Sequence, residues 1–341
     1  MKKFILFFVP VILITLIFGL TSLPLHAQQP AKKEVKLITA TFGSTAYLVA
    51  QQLATEVNRT HPWLRITVIE GKPNNVHELA NKPEIRKNTV VESATFTNWL
   101  VQQGKRPAKA PYHGGKGLCS FAGLMAVPIF TLDKDIKTLE DLKGKRVNLF
   151  VKGTQGETTM TALLKHLGIF DTIKRDYLAF KPSVDAIIDG TVDAIVGYAT
   201  LVQEEPKKFN PVPAYLSMLQ ARKTYIIDIP SELQRKLSKA TGMPVTPIKV
   251  PAGSLPTGVP ERDITTFSTY IWWFADETFP DELAYELVKV FAQHIGALKK
   301  TSPAAQALSI EKLATSDLKP DEYHPGALRF FKEKGIKVVT E

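Results

Sequence analysis

The stretch LEDLKGKRVNLFVKGTQGETTMTALLKHLGIF, Leu139 to Phe170, decides the fold. Arg146 to Val151 is apolar and β-branched, as in a buried strand. Gly153-Thr154-Gln155-Gly156 supplies turn residues, and Met160, Leu163, Leu164 and Leu167 recur at helical spacing before Gly168 ends the helix. The order strand, glycine-bracketed turn, helix leaves unpaired helix N–H groups facing out of the turn. Such a start favours a carboxylate or phosphate through free donors and the positive end of the helix dipole. Many such units only pack a sheet, so the ligand reading needs support from elsewhere in the chain.

Working outward, the same alternation recurs. Val35 to Ala40 reads as a strand, Tyr47 to Asn58 as a helix, Leu64 to Glu70 as a strand, Val76 to Ala80 as the opening of a helix, and Asn88 to Glu92 as a short third strand. Gly114 to Phe130 carries an apolar run ending at Pro128; Val184 to Asp189 reads as a helix and Ala194 to Tyr198 as a buried strand. This rhythm predicts an α/β protein with a mainly parallel sheet covered on both faces. Pro244 to Pro260 holds five prolines and two glycines, which excludes a regular helix and predicts a connecting segment. Thr265 to Phe274 is β-branched and aromatic and reads as a strand, and Pro280-Asp281 starts an amphipathic helix with Leu283, Leu287, Val290, Phe291 and Ile295 on one face. Two apolar strands, near Met125 and near Thr269, flank a block of domain size. They predict two α/β lobes joined by crossing strands, with a ligand cleft between. The expected division is 34–130 for the first part of lobe 1, 131–262 for lobe 2, and 263–341 for the return strand and the rest of lobe 1.

Lys2-Lys3, the apolar run Phe4 to Leu20, and Thr21, Ser22, Pro24 and Ala27 have the three parts of a secretory signal peptide over 1–27, with a mature start near Gln28. A retained anchor competes with that reading, because the run approaches the length that spans a bilayer. No cysteine stands near the cleavage point to accept a lipid, so a periplasmic product without a tether is expected. The chain's one cysteine, Cys119, cannot form an intramolecular disulfide, and stability must come from the core. With 43 Lys plus Arg against 33 Asp plus Glu the net charge is +10, or +8 once Lys2 and Lys3 leave with the signal. The basic residues are scattered pairs such as Lys105-Arg106 and Lys207-Lys208 rather than a stripe. They read as solvated faces, and no nucleic-acid partner is expected.

Several segments carry a likeness in order along the chain: Gly43-Ser44-Thr45-Ala46-Tyr47 with Ala54 and Asn58, DLKGKRVNLFVKGTQGETTMTALLKHLG, DGTVDAIVGY and the closing EYHPGALRFFKEKGI. Together they resemble the TAXI-type solute-binding proteins of tripartite (TRAP) transporters. The resemblance implies a type II periplasmic-binding-protein fold that captures a small solute, a glutamate-like amino acid or small carboxylate, and delivers it to a TRAP membrane permease. A monomer with no cofactor and no metal is expected. Carried over by position, the first turn gives Gly43, Ser44 and Thr45 with Tyr47 as an aromatic wall; packing in the core is the competing reading for Tyr47. The family's Gly-Ser-Gly-Thr turn in the second lobe stands here as Gly153-Thr154-Gln155-Gly156, followed by Glu157 and Thr158. Glu157 would repel an anion unless it is bonded to the helix start.

The family's third strand usually ends in Gln-Ser, and this chain has Glu92-Ser93. A carboxylate at the pocket wall disfavours a plain dicarboxylate and suits a ligand ammonium, with Coulomb attraction on the order of 4 kcal/mol at 4 Å before desolvation is subtracted. The competing reading pairs Glu92 with a nearby lysine or arginine. Tyr198, Thr200, Trp272 and Trp273 are further strand residues for which core packing competes.

An enzyme would need a nucleophile and base, or a metal cluster. Cys119 has no neighbouring motif, the seven histidines lack ligand spacing, and Gly-x-Ser-x-Gly is absent. The alternative to transport is a ligand sensor or scaffold that docks on a membrane receptor.

Overall fold

The computed structural model describes residues 31–340 apart from 41, 43, 73–74, 106, 302–304 and 307. The expected signal peptide, 1–27, therefore lies outside the described residues, and so does Gly43.

The chain opens with β1 (Lys33–Thr39), α1 (Thr45–Thr60), β2 (Leu64–Glu70), α2 (Val76–Asn81), β3 (Thr89–Ala94) and α3 (Thr95–Gln102). β1 pairs in parallel with both β2 and β3. In α1, Val49, Ala50, Leu53, Ala54 and Val57 recur on one face and are buried in the same core as Val35 and Leu37 of β1. Each fully buried Val or Leu contributes roughly 1.5–3 kcal/mol.

Next comes the long strand β4 (Gly115–Val127), continued past Pro128 by β5 (Ile129–Thr131). A second wound unit follows: β6 (Arg146–Asn148), α4 (Gln155–His166), β7 (Lys174–Asp176), α5 (Phe180–Ile188) and β8 (Ala194–Val196). β9 (Ala199–Gln203), β10 (Lys208–Pro211), α6 (Pro213–Ala221), β11 (Tyr225–Ile227), α7 (Ser231–Thr241) and β12 (Thr246–Val250) lead to β13 (Ile264–Asp276), α8 (Asp281–Thr301) and α9 (Pro325–Glu333).

One sheet runs β10-β9-β4-β13-β3-β1-β2, with β12 also on β13; the other runs β11-β5-β8-β6-β7. β4 and β13 pair antiparallel from Val127–Phe267 to Gly115–Asp276. The sheets are therefore mixed, not mainly parallel as the alternation predicted. Within these two sheets only β2-β1-β3 and β7-β6-β8 are parallel. The reason is connectivity: a chain that leaves one lobe along β4 and returns along β13 must run in opposite directions on the two passes.

Two other expectations shift. The strand foreseen to Val151 stops at Asn148, because Phe150 takes φ 72° and turns the chain into the glycine loop. The proline-rich segment contains β12, an edge strand that holds Pro247 and pairs with β13; an edge position tolerates a residue with no N–H. The apolar face foreseen for α8 is buried as expected. Among the described residues no helix is long and apolar enough to cross a membrane.

Candidate functional site

Parallel strands present their carboxyl ends to one crevice, and open α/β sheets bind ligands there. β1 ends at Thr39 and β3 ends Glu92-Ser93-Ala94, so Thr39 and Glu92 lie side by side at that edge. Glu92 Oε2 accepts from the Thr39 hydroxyl and from the Ala40 N–H at 2.8 Å. The backbone is pinned by Asn75, whose N–H and Nδ2 donate to the Glu92 carbonyl at 3.0 and 3.2 Å. Glu92 is only 7% exposed. Burial pushes its carboxyl up to about 7 against the two donors, which pull it down. None of the ion pairs among the described residues involves Glu92, so the competing lysine or arginine partner is absent there.

The chain turns from Glu92 straight into α3. Its N-cap is Ala94, which has no side-chain acceptor, so no side chain caps the start. The first-turn residues Thr95, Phe96 and Thr97 are nevertheless buried. A helix leaves its first N–H groups without intrahelical partners, and a buried start without a cap is costly unless something else accepts from it. The hydroxyls of Ser93 and Thr95, 1% and 4% exposed, have no hydrogen-bond partner among the described residues either. Among the described residues, a carboxyl without a cation, two orphaned hydroxyls and a helix start with no side-chain cap thus fall within four residues of one another. α3 was not foreseen, although Phe96, Trp99 and Leu100 carry its spacing.

The first turn of lobe 1 is differently made. Ser44 caps α1 by accepting from the Tyr47 N–H at 3.2 Å. The Tyr47 hydroxyl takes Gln51 Nε2 at 2.9 Å, and its ring lies 5.3 Å from that of the exposed Phe42. Thr45 begins the helix. Tyr47 is half-buried, a rim position rather than a core one.

The α4 turn, which the sequence offered as an anion cradle, is filled largely by its own side chains. The Thr154 hydroxyl accepts from the Glu157 N–H at 3.4 Å and donates to the Val151 carbonyl at 2.7 Å. Glu157 bends back to take the Gly153 N–H at 3.0 Å and the Thr161 hydroxyl at 3.0 Å, so it is bonded to the helix start. Thr158 reaches Glu157 at 3.4 Å. The Tyr198 hydroxyl lies against Thr154 and the Gly156 N–H, and burial pushes it up to about 12. Gly156 is needed for this approach, since a Cβ there would stand 2.5 Å from the Tyr198 oxygen. The Tyr198 ring packs at 5.0 Å on Phe150, whose left-handed backbone costs roughly 1–2 kcal/mol.

Gln155 links this turn to the crossing strand. Its Nε2 donates to the Ser268 carbonyl at 2.9 Å, while its Oε1 is buried without a partner, as is the hydroxyl of the next residue along β13, Thr269. Glu92 is opposite Trp273 on that strand and Ser93 opposite Trp272. Ser268 is five residues from Trp273, on the order of 16 Å along the strand. Glu92 and the α3 start are therefore adjacent, while Gln155 is anchored further along β13. Trp272 and Trp273 are core residues, packed on Tyr323 and Phe291. Thr39, Thr95, Phe150 and Thr269 are the residues here that sequence reasoning missed. No group of His, Cys, Asp and Glu suited to a metal occurs among the described residues. Two surface cavities, of about 400 and 490 Å³, are lined by residues such as Asp228 and Lys249, or Asp133 and Arg222, away from Glu92.

Two α/β lobes joined by crossing strands, with polar groups gathered at the strand ends, define the class as a two-lobed periplasmic-binding-protein fold. A profile of the NMT1-like family matches residues 37–335, and the chain belongs to that family. Its backbone is similar to malate-bound MatC of Rhodopseudomonas palustris, with a TM-score of 0.51 at 13% identity over 89% of this chain and 96% of that one. The periplasmic aliphatic sulphonate-binding protein SsuA of Escherichia coli gives 0.49 at 14% identity over 91% and 96%. A putative L-cystine ABC transporter protein from Listeria monocytogenes gives 0.47 at 12% over 81% and 96%. At these identities the likeness concerns the fold alone.

Proposed function

We propose that this chain is an extracytoplasmic solute-binding protein of the TAXI type. It captures a glutamate-like amino acid or small carboxylate by lobe closure and hands it to a TRAP permease. The observation that carries the reading is the pairing, within four residues, of a buried carboxyl that has no cation among the described residues with a buried helix start that has no side-chain cap. An α-amino acid presents adjacent ammonium and carboxylate groups that would supply both missing partners. Glu92 takes the ammonium, and the α3 N–H groups with the Ser93 and Thr95 hydroxyls take the carboxylate. Ser44, Thr45 and Tyr47, with Gly43, form the lobe 1 rim. Thr154, Gln155, Gly156, Thr158 and Tyr198 form the facing wall, with Gln155 Oε1 as the acceptor left open there. Residues 34–130 and 263–341 make lobe 1 and 131–262 lobe 2; 1–27 is removed on export to the periplasm, and the product works as a monomer. It carries no cofactor and does no chemistry on its solute.

Thermal unfolding of the purified protein against amino acids, dicarboxylates, keto acids, sugars and sulfonates tests this. A ligand at a hundred times its Kd adds about 2.7 kcal/mol, a rise of roughly 4 °C for a chain of this size. Amino acids or carboxylates should give the shift. No shift with any compound, or one confined to sugars, would remove the assignment.

A further inference from the structure

The two oxygens of the Glu92 carboxyl are not equivalent. Oε2 accepts from both Thr39 and Ala40, whereas Oε1 accepts no hydrogen bond among the described residues. A proton arriving at the carboxyl therefore belongs on Oε1, since Oε2 already faces two donors. Among the described residues, no charged side chain on the surrounding elements is turned to it. Glu70, at the end of β2, faces the Phe42 N–H at 2.9 Å, and Tyr47 of α1 faces Gln51 at 2.9 Å. His77 of α2 lies 3.3 Å from Glu78, and Glu286 of α8 lies 3.0 Å from His61 and from Lys289. Cys119, across β13, is held as a neutral thiol by burial.

We propose that Glu92 selects the class of ligand by its protonation state. Ionised, its Oε1 accepts an ammonium and the site takes an α-amino acid; protonated, the same Oε1 donates to a carboxylate and the site takes a dicarboxylate. The proposal rests on the solute-binding reading above and adds regulation to the same site. The proton balance follows. An amino acid binding to the protonated form releases the Glu92 proton to buffer, and a dicarboxylate binding to the ionised form draws one in. Burial places the exchange near neutrality, where the periplasm can meet both states.

Calorimetric titration of L-glutamate and L-malate at pH 5.5, 7.0 and 8.5, each in two buffers of different ionisation enthalpy, reads both affinity and proton count. With half-ionisation near 7, about 3% of the sites are ionised at pH 5.5, so glutamate affinity should rise about 30-fold by pH 8.5. Malate affinity should fall over the same range. Glutamate should release protons at pH 5.5, and malate should take them up at pH 8.5. Glu92→Gln should flatten both profiles. Thr39→Val, which removes a donor to the ionised form, should move the crossover to higher pH, and it tests the proposal should Glu92→Gln fail to fold. A glutamate-to-malate preference in the wild type that does not change with pH, or one that changes identically in Glu92→Gln, overturns the selector and leaves solute binding standing. A folded protein that binds no amino acid and no dicarboxylate of the thermal panel at any pH overturns both.

Discussion

Glu92 also makes a prediction that needs no ligand. Its carboxyl titrates near 4.5 when unfolded and near 7 when folded, because burial disfavours the charge. The folded state binds the proton more tightly, so the contribution is fully present below pH 4.5. It is lost as pH rises through 7 and is constant above that. The difference between the two states corresponds to an upper bound on the order of 3 kcal/mol. Glu92→Gln keeps an acceptor for Thr39 and Ala40 but cannot ionise. Urea unfolding of both proteins from pH 4.5 to 8.5, without ligand, isolates the effect, since other titrating groups cancel in the difference. The variant should match the wild type near pH 4.5 and exceed it by up to about 3 kcal/mol at pH 8. A pH-independent difference would refute the reasoning, showing that water or an unseen partner relieves the charge.

Three further outcomes follow from single contacts. Thr95→Val removes a buried hydroxyl that has no partner. It should leave the ligand-free protein as stable or up to about 1 kcal/mol more so, while raising the Kd for an amino acid 10-fold or more through loss of a bond to a charged group; paired melts and titrations check both. Gly156→Ala drives a Cβ to 2.5 Å from the Tyr198 hydroxyl. It should cost about 1–3 kcal/mol, and Tyr198→Phe should recover part of that in a double-mutant cycle. His324 caps α9 from a fully buried position, accepting from the Gly326 N–H at 3.2 Å, and burial lowers its pKa. Its contribution is present above about pH 6.5 and is lost as pH falls below that, so His324→Asn should show a shallower acid loss in urea unfolding.

The lobes and their crossing strands were legible because long apolar runs and glycine stops are local signals. β1, α1, β2 and α8 appear close to where their residues place them. The mixed sheet was not, because strand direction depends on which lobe a strand returns to, and spacing carries no record of that. α3 was missed because its first four residues, Thr95-Phe96-Thr97-Asn98, are β-branched, aromatic and polar. Their helix propensity is poor, and burial of Phe96 and Leu100 overrides it. The same blindness hid half of the candidate site. Glu92 stood out as a departure from a family pattern, but the groups beside it are orphaned only in three dimensions. Conversely, the α4 turn looked open in sequence because Thr154, Glu157 and Tyr198 close it by folding back.

The position of α3 bears on how ligand would close the lobes. It follows β3 directly and so belongs to the first wound unit, yet Ala94, Phe96 and Leu100 are buried in the same core as Leu149, Met160 and Phe267. The helix whose start has no side-chain cap is thus packed against the second lobe as well as joined to the first. A ligand can shift the balance between open and closed states only by the difference in its contacts with each. Contacts at the α3 start alone would exist wherever that helix goes. The differential part must come from groups that approach it on closure, and we propose Gln155, tied to β13 through Nε2, whose open Oε1 can accept from a ligand N–H or O–H. Closure should therefore depend on Gln155 more than affinity for the open form does. Gln155→Leu should reduce ligand-induced compaction in small-angle scattering more than it weakens capture at the α3 start. Undiminished compaction would move the closing contact to another residue of the facing wall.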